Sequence, residues 1–151
     1  MKQTVVWAFI ALFILISFTA VADGTDDTSQ KEPSSVAMVL SSDSVQITGM
    51  ALHMAWGMNN IAGADVTIIL GAASLPFALK DGDSPTFPPK NKSIRVLLED
   101  LVTQGLTIHI CNLCAFAQKV KQEDLIEGIT IETGMVIMPI LADPNIKVIT
   151  F

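Results

Sequence analysis

The sequence predicts an α/β domain built on a mostly parallel sheet of about five strands, with helices on both faces. Two observations indicate this class. Five short apolar segments recur after residue 35, and segments with helical periodicity lie between most of them. These segments are apolar almost throughout instead of alternating with polar residues, which is typical of strands covered on both faces. With 151 residues, 50 % of them hydrophobic, the chain is long enough to bury one core.

The first 35 residues are predicted to lie outside this domain. Residues 1–22 have the pattern of a secretory signal, since Lys2 precedes an apolar run over residues 5–18 and Ala20-Val21-Ala22 fits a cleavage site. The run is short for a membrane span, so membrane contact is expected only through this segment if it is not cleaved. Residues 23–35 are polar and acidic and predict a disordered tether. We therefore expect a periplasmic or secreted protein with one folded domain at residues 36–151.

Within this domain, strands and helices are predicted to follow each other in order. The strands are predicted at residues 36–40, 65–70, 106–110, 129–132 and 145–151. Residues 94–104 predict an amphipathic helix that Ser93 caps and Gly105 ends. The residues of this helix expected to face inward are Val96, Leu97, Leu101 and Val102. Residues 135–142 fit a helix or a strand equally well.

Another helix, predicted at residues 47–62, carries little charge on any side. One stripe of it consists of Met50, Met54, Met58 and Ile61. A second stripe consists of His53, Trp56 and Asn60. Thioether and imidazole groups bind Cu(I), but a methionine stripe at helical spacing more often packs on a sheet. We therefore expect the methionine stripe to face the sheet and the second stripe to be buried as well, against another subunit.

One long loop is predicted at residues 81–92, which contain Gly82 and three prolines. Loops of this length in a compact domain are usually functional or mobile. Because the loop follows the second strand at the C-terminal edge of the sheet, we expect it to be mobile and to lie near the cysteines.

The only two cysteines, Cys111 and Cys114, lie where a strand is predicted to pass into a helix. A thiol at such a junction faces the positive end of the helix dipole and its unpaired N–H groups, which stabilise the reactive thiolate. If Cys111 is the N-cap, Cys114 falls in the first turn, close enough to form a disulfide with it. Because ligands bind parallel sheets at the C-terminal ends of strands, we predict both cysteines to be catalytic. The alternative is that both simply pack as small apolar side chains.

Charge and motifs exclude several other classes of function. A net charge of −6, without a basic patch and interleaved aromatic residues, argues against nucleic acid as a partner. The segment after the first strand, residues 41–44, has no glycine, so the phosphate-binding loops of nucleotide-binding domains are absent. The CxxC pair with His109 and His53 offers metal ligands, but a closed zinc site needs four that converge. We expect no cofactor and no metal.

The order of these parts resembles the DsrE/DsrF-like family, which includes the sulfur-relay proteins DsrE and TusD. The resemblance covers residues 36–151. It consists of an apolar first strand, an alanine-rich helix ending near Gly63, and a second strand followed by Gly-Ala-Ala-Ser-Leu. A leucine-rich helix ended by Gly105, a strand ending in Cys111, a turn at residues 123–125 and the closing Lys-Val-Ile-Thr-Phe follow.

This resemblance implies a three-layer α/β domain that assembles into homo- or hetero-oligomers, often trimers or hexamers; for this chain we expect a homo-oligomer. It also implies a cysteine that carries sulfane sulfur as a persulfide, a role that maps onto Cys111, with sulfur donor and acceptor proteins as partners. The chain departs from the family pattern in two respects. Its predicted export contrasts with the cytoplasmic location of the best-known relay proteins, and Cys114 is a second thiol that could discharge a persulfide as sulfide.

Three functions are consistent with the sequence. The first is an exported sulfur-relay protein that carries sulfane sulfur as a persulfide on Cys111. The second is a thiol-disulfide redox protein in which Cys111 attacks and Cys114 resolves. Against it, a thioredoxin-like chain places its CxxC early, whereas two predicted strands precede the strand that leads into this pair. The third is a non-catalytic oligomeric binding protein.

Overall fold

Strands and helices alternate along residues 34–151, the part of the chain that the computed structural model describes. The strands are β1 (Ser35–Leu40), β2 (Asp65–Leu70), β3 (Thr86–Phe87), β4 (Lys92–Ser93), β5 (Thr107–Cys111), β6 (Ile129–Glu132) and β7 (Ile146–Thr150). The α-helices are α1 (Val45–Asn60), α2 (Ile94–Thr103), α3 (Asn112–Gln118) and α4 (Gly134–Ala142). Short 3₁₀ segments cover Ala72–Ala78 and Gln122–Asp124.

The predicted signal at residues 1–22 and nearly all of the predicted tether at residues 23–35 lie outside the described residues. Ser35, at the end of the predicted tether, is the first residue of β1. Among residues 34–151, no helix is both long enough and apolar enough to span a bilayer.

Five parallel strands form the central sheet, in the order β6-β5-β2-β1-β7. Each of the connections β1–β2, β2–β5 and β5–β6 adds the next strand on the same side of the previous one. The connection from β6 to β7 crosses the three strands between them and places β7 at the opposite edge of the sheet. Because parallel crossovers are right-handed, α1, α2 and α3 cover one face and α4 covers the other. The predicted class, an α/β domain with a mostly parallel sheet of about five strands and helices on both faces, is confirmed.

The core beneath α1 and α2 is built from rows of side chains that cross the sheet. One row consists of Met38, Ile68, Ile108 and Ile129, which the strand register places side by side. Each of these side chains is at most 1 % exposed. Leu52 of α1 and Leu98 of α2 are buried in the same core cluster. This packing fixes the positions of the strand ends, where the cysteines lie.

Helix α1 presents its side of small residues to the core, so the prediction that its methionine stripe packs on the sheet is wrong. Its buried residues are Thr48, Gly49, Ala51, Leu52 and Ala55. Met50, Met54 and Ile61 are exposed, and Trp56 of the second stripe is also exposed. When several sides of a helix are apolar, the side with small residues allows the closest approach to the sheet, and hydrophobicity alone does not single it out.

Helix α2 begins and ends close to the predicted residues, but it is rotated about its own axis, so that a different side from the predicted one faces the core. Ser93 is the N-cap and accepts a hydrogen bond from the backbone N–H of Val96 at 3.3 Å. Gly105, just beyond the helix, has φ +86°, a conformation that favours glycine. The buried residues of α2 are Ile94, Leu98 and Leu101. Of the four residues predicted to face inward, only Leu101 is buried, and Val96 is exposed.

The loop at residues 81–92 is anchored, contrary to the predicted mobility. Its short strands β3 and β4 pair with each other, and the ring of Phe87 is fully buried against α1. Gly49 makes this approach possible, because a Cβ at that position would collide with the ring. The Arg95 side chain fastens the start of the loop by donating to the carbonyl oxygen of Gly82 at 2.7 Å. The loop therefore packs on α1, and the closest described contacts of the cysteines come from another segment.

Candidate functional site at the Cys111–Cys114 corner

Cys111 lies at the point where a central strand turns into a helix. It is the last residue of β5 and the N-cap of α3, with extended backbone dihedrals of φ −62° and ψ 120°. Strand β5 lies between β2 and β6, away from the edges of the sheet. Cys114 is the third residue of α3, and both thiols are free and half-buried. The predicted junction and N-cap are confirmed, and the catalytic role of both cysteines stays a prediction.

A backbone segment after β2 contacts both cysteines. The N–H of Ala72 donates to Sγ of Cys114 at 3.2 Å. A Cβ built at Gly71 would lie 3.4 Å from the same sulfur and 3.9 Å from Cβ of Cys111. On the far side, Nε2 of Gln118 donates to the carbonyl oxygen of Ala72 at 2.6 Å. Ala72 is therefore held between Cys114, through its backbone N–H, and the last residue of α3, through its carbonyl oxygen.

Sequence reasoning missed this segment, although a signal for it existed. The parallel register places Leu70 beside Ile110, so the residues after β2 and β5 emerge together at one edge of the sheet. Ser74 then fixes the direction of the turn: its hydroxyl donates to the carbonyl oxygen of Leu40 at 2.7 Å and accepts from the N–H of Gly71 at 3.2 Å. Gly71 and Ala72, the first two residues of the Gly-Ala-Ala-Ser run, thus pack against the cysteines.

The surroundings of Cys111 favour its thiolate. Burial raises the pKa of the thiol, but the backbone N–H groups of Cys114 and Leu113 and the side chain of Cys114 outweigh it, so the pKa is lowered overall. These N–H groups belong to the first turn of α3 and approach the sulfur without forming well-aligned capping hydrogen bonds. A thiolate at neutral pH is the nucleophilic form of cysteine.

Large apolar side chains surround this corner and face solvent. Leu113 and Phe116 on α3 are 72 % and 85 % exposed, and Met135 at the start of α4 is 88 % exposed. Helix α4 follows β6, whose last residue Glu132 pairs with Cys111, so Met135 lies at the same edge of the sheet. Exposed apolar side chains clustered around a reactive group are typical of a surface that docks another protein.

The histidines do not join the cysteines in a metal site. Nδ1 of His109 lies 2.9 Å from Oγ1 of Thr130, and burial lowers the pKa of this histidine although Glu132 acts in the opposite direction. His53 stacks on Trp56 with ring centroids 5.7 Å apart, beside a cleft of about 420 Å³ between α1 and α2. Among the described residues, no three His, Cys, Asp or Glu side chains are placed to hold a metal ion.

The lowered pKa of Cys111 predicts a particular pH dependence of alkylation. Because its thiolate persists below the ordinary cysteine pKa of about 8.5, we expect iodoacetamide to label Cys111 at pH 7 faster than Cys114. The rate at Cys111 should fall only when the pH drops through its lowered pKa. Peptide mass mapping across a pH series measures both rates. Equal labelling of the two thiols, with a midpoint at or above 8.5, would contradict the prediction.

These features define a class: parallel α/β domains with a cysteine at the C-terminal end of a strand inside the sheet. The structure superposes on YchN from E. coli with a TM-score of 0.64 and 20 % identity, over 79 % of this chain and 99 % of that one. It also superposes on MTH1491 from Methanobacterium thermoautotrophicum with a TM-score of 0.59 and 13 % identity, over 78 % of this chain and 97 % of that one. The superposition on BT1422 from Bacteroides thetaiotaomicron has a TM-score of 0.60 and 17 % identity, over 78 % of this chain and 95 % of that one. The latter two are described as proteins of unknown function.

No protein-family profile and no curated protein matches the sequence. At these identities the structural likeness shows the fold alone, which is that of YchN, MTH1491 and BT1422. The α/β fold expected from the family resemblance is therefore confirmed, and kinship with DsrE or TusD in particular stays a prediction.

Proposed function

We propose that this protein is a sulfur carrier that holds sulfane sulfur as a persulfide on Cys111. The observation that supports this most is the placement of Cys111: a half-buried thiol of lowered pKa, at the C-terminal end of a central strand and near exposed apolar side chains. The α/β fold expected from the family resemblance agrees with this role. As part of the same proposal, residues 1–22 direct the chain to the periplasm or the outside of the cell.

The transfer needs no cofactor. The Cys111 thiolate attacks the outer sulfur of a donor persulfide, a sulfur–sulfur bond forms at Cys111, and the donor leaves as a thiolate. With thiosulfate the leaving group is sulfite. An acceptor thiolate then attacks the outer sulfur on Cys111 and restores the original thiolate. Oxidation states balance at each exchange, because one sulfur–sulfur bond forms as another breaks.

The direct test is the intact mass of the protein after incubation with thiosulfate or polysulfide. We expect a gain of one sulfur atom on the chain, reversed by a reductant. A mass that stays unchanged with both donors would remove the sulfur-carrier function.

A thiol-disulfide redox function is the second candidate, and the spacing of the two thiols favours it. Cys111 is the N-cap of α3 and Cys114 lies in its first turn, and the Cys114 side chain is among the groups that lower the pKa of Cys111. In this reaction Cys111 attacks a substrate disulfide and releases one thiolate, and Cys114 then attacks Cys111 and releases the other. The product is a Cys111–Cys114 disulfide, so a loss of two hydrogens in the intact mass instead of a gain of sulfur would favour this function.

We propose, further, that the protein self-assembles. Apolar side chains remain exposed on two surfaces of the chain: on α1 around Met50 and Met54, and at the cysteine corner around Phe116 and Met135. A domain of this size cannot cover both by itself, and each is suited to a second copy. The family resemblance implies trimers or hexamers.

We therefore expect light scattering to give a multiple of the chain mass at micromolar concentrations. Met54→Glu and Phe116→Glu, tested separately, should each weaken assembly if its surface is an interface, because a carboxylate there would be desolvated. Thr103→Glu, at an exposed polar position on α2, is the control and should leave the mass unchanged. A monomer mass across the whole concentration range would contradict self-assembly.

A further inference from the structure

A continuous series of contacts leads from the end of α3 back to Cys111. Gln118 donates to the carbonyl oxygen of Ala72, and the N–H of Ala72 donates to Sγ of Cys114. Gly71, the residue before Ala72, lies against both cysteines, since a Cβ built there would be 3.4 Å from Sγ of Cys114 and 3.9 Å from Cβ of Cys111. The Cys114 sulfur is thus engaged by a backbone group that belongs to neither its own helix nor its own strand.

The conformation of Ala72 is what makes this engagement possible. Its φ of +44° is in the left-handed region, which is unfavourable for a residue with a Cβ. Such a residue keeps this conformation only where its surroundings determine it. Here the conformation aims the N–H of Ala72 at Cys114 while its carbonyl oxygen, in the next peptide unit, accepts from Gln118. The backbone N–H of Ser74 holds the carbonyl oxygen of Gly71 at 3.0 Å, so Ser74 and Gln118 fix the backbone on the two sides of Ala72.

We infer that the backbone of Ala72 is a latch that restrains Cys114 from attacking a group carried on Cys111, and that Gln118 is a positioning residue that helps to keep the latch closed. The inference deepens the proposed function, since a sulfur carrier with a resolving thiol in its first helical turn needs such a restraint.

The latch acts on one defined step. Without it, the Cys114 thiol loses its proton and attacks the inner sulfur of a Cys111 persulfide, giving a Cys111–Cys114 disulfide and hydrogen sulfide. To attack, the Cys114 sulfur must give up the hydrogen bond from Ala72 and turn a lone pair towards Cys111. This loss of a hydrogen bond slows the discharge and leaves the outer sulfur available to an acceptor.

The same attack can be followed without any persulfide, by using dithiobis(nitrobenzoate). The Cys111 thiolate forms a mixed disulfide with the reagent and releases one coloured thionitrobenzoate. Cys114 then attacks Cys111, forms the internal disulfide and releases the second thionitrobenzoate with a proton. With equimolar reagent the two releases appear as separate phases in the absorbance. The rate of the second phase measures how fast Cys114 attacks Cys111, which is the step that the latch slows. Cys114→Ser should show the first phase only.

We expect Gln118→Leu and Gln118→Glu to accelerate the second phase by about two- to tenfold, the factor that loss of one hydrogen bond gives. Neither side chain can donate to the Ala72 carbonyl, and the uncharged leucine separates this loss from a charge effect. Gln46→Leu, at an exposed glutamine on α1, should leave both phases unchanged. Unchanged or slower second phases in both Gln118 variants would overturn the latch.

Sulfur loading, measured separately by intact mass, keeps the two proposals distinguishable. If no sulfur binds to any variant, the sulfur-carrier function fails while the second-phase rates still decide the latch. If sulfur binds but the Gln118 variants lose hydrogen sulfide no faster than the unaltered protein, the latch fails and the carrier function stands.

Discussion

Cys111→Ser is expected to abolish the reductant-sensitive gain of one sulfur atom completely. A serine hydroxyl at this position is not ionised near neutral pH and forms no persulfide, so there is no partial route at residue 111. Intact mass spectrometry after incubation with thiosulfate or polysulfide measures the outcome. The folded state should survive, since Cys111 is only half-buried and serine is nearly the same size.

Cys114→Ser is the matched control for this experiment, because it makes the same substitution three residues away. It should keep the sulfur atom on Cys111 and prolong its lifetime, since the resolving thiol is gone. The reverse pattern, in which Cys114→Ser loses the adduct and Cys111→Ser keeps it, would exchange the roles of the two cysteines. Two inert thiols would favour the non-catalytic binding function.

Phe87→Ala should lower the free energy of unfolding by about 3–5 kcal/mol, the range found when a fully buried aromatic side chain is truncated. The ring fills the space next to Gly49 and is the anchor of the hairpin formed by residues 86–93. Its removal leaves a cavity beneath α1 that the backbone cannot readily close. Urea denaturation followed by circular dichroism measures the change.

Phe116→Ala provides the control, since it makes the same substitution at a ring that is 85 % exposed. It should change the stability of the unassembled chain by no more than about 0.5 kcal/mol. Slow hydrogen exchange at Phe87 in the unaltered protein would agree with an anchored loop. If Phe87→Ala lowers the free energy of unfolding as little as Phe116→Ala does, the ring is not an anchor, and the mobile loop predicted from the sequence would be favoured.

The strands were the most predictable part of the fold. Asp65–Leu70 and Ile129–Glu132 were predicted at the residues where they occur, because continuous apolar runs bounded by glycine or acidic residues leave little freedom in a parallel sheet. The caps were also predictable: Ser93 and Gly105 act through their own chemistry and need no tertiary context. Residues 135–142, ambiguous by periodicity, are helical because they form the return crossover from β6 to β7.

The helix faces were less predictable, and the neighbours of the cysteines least of all. In α1, apolar residues occur on several sides, so hydrophobicity did not distinguish the Ala51–Ala55 side from the methionine stripe. The position of Cys111 at the strand end followed from sequence pattern, since strand and helix are each local. The contact between Ala72 and Cys114 could not be predicted from the sequence. It depends on the register between β2 and β5 and on a positive φ at Ala72, which the residue type does not indicate.

The contact between Ala72 and Cys114 has a consequence for how this corner should be looked for in other proteins. The groups that meet the sulfur from outside its helix are main-chain atoms, so any residue able to adopt the same dihedral angles could supply them. An alanine scan would pass over position 72 without altering it. Two chains could share the arrangement while having only the cysteines in common, and at 20 % identity a sequence alignment would not reveal it. A structural search that compares φ values and the directions of N–H bonds near a thiol at a strand end would find it.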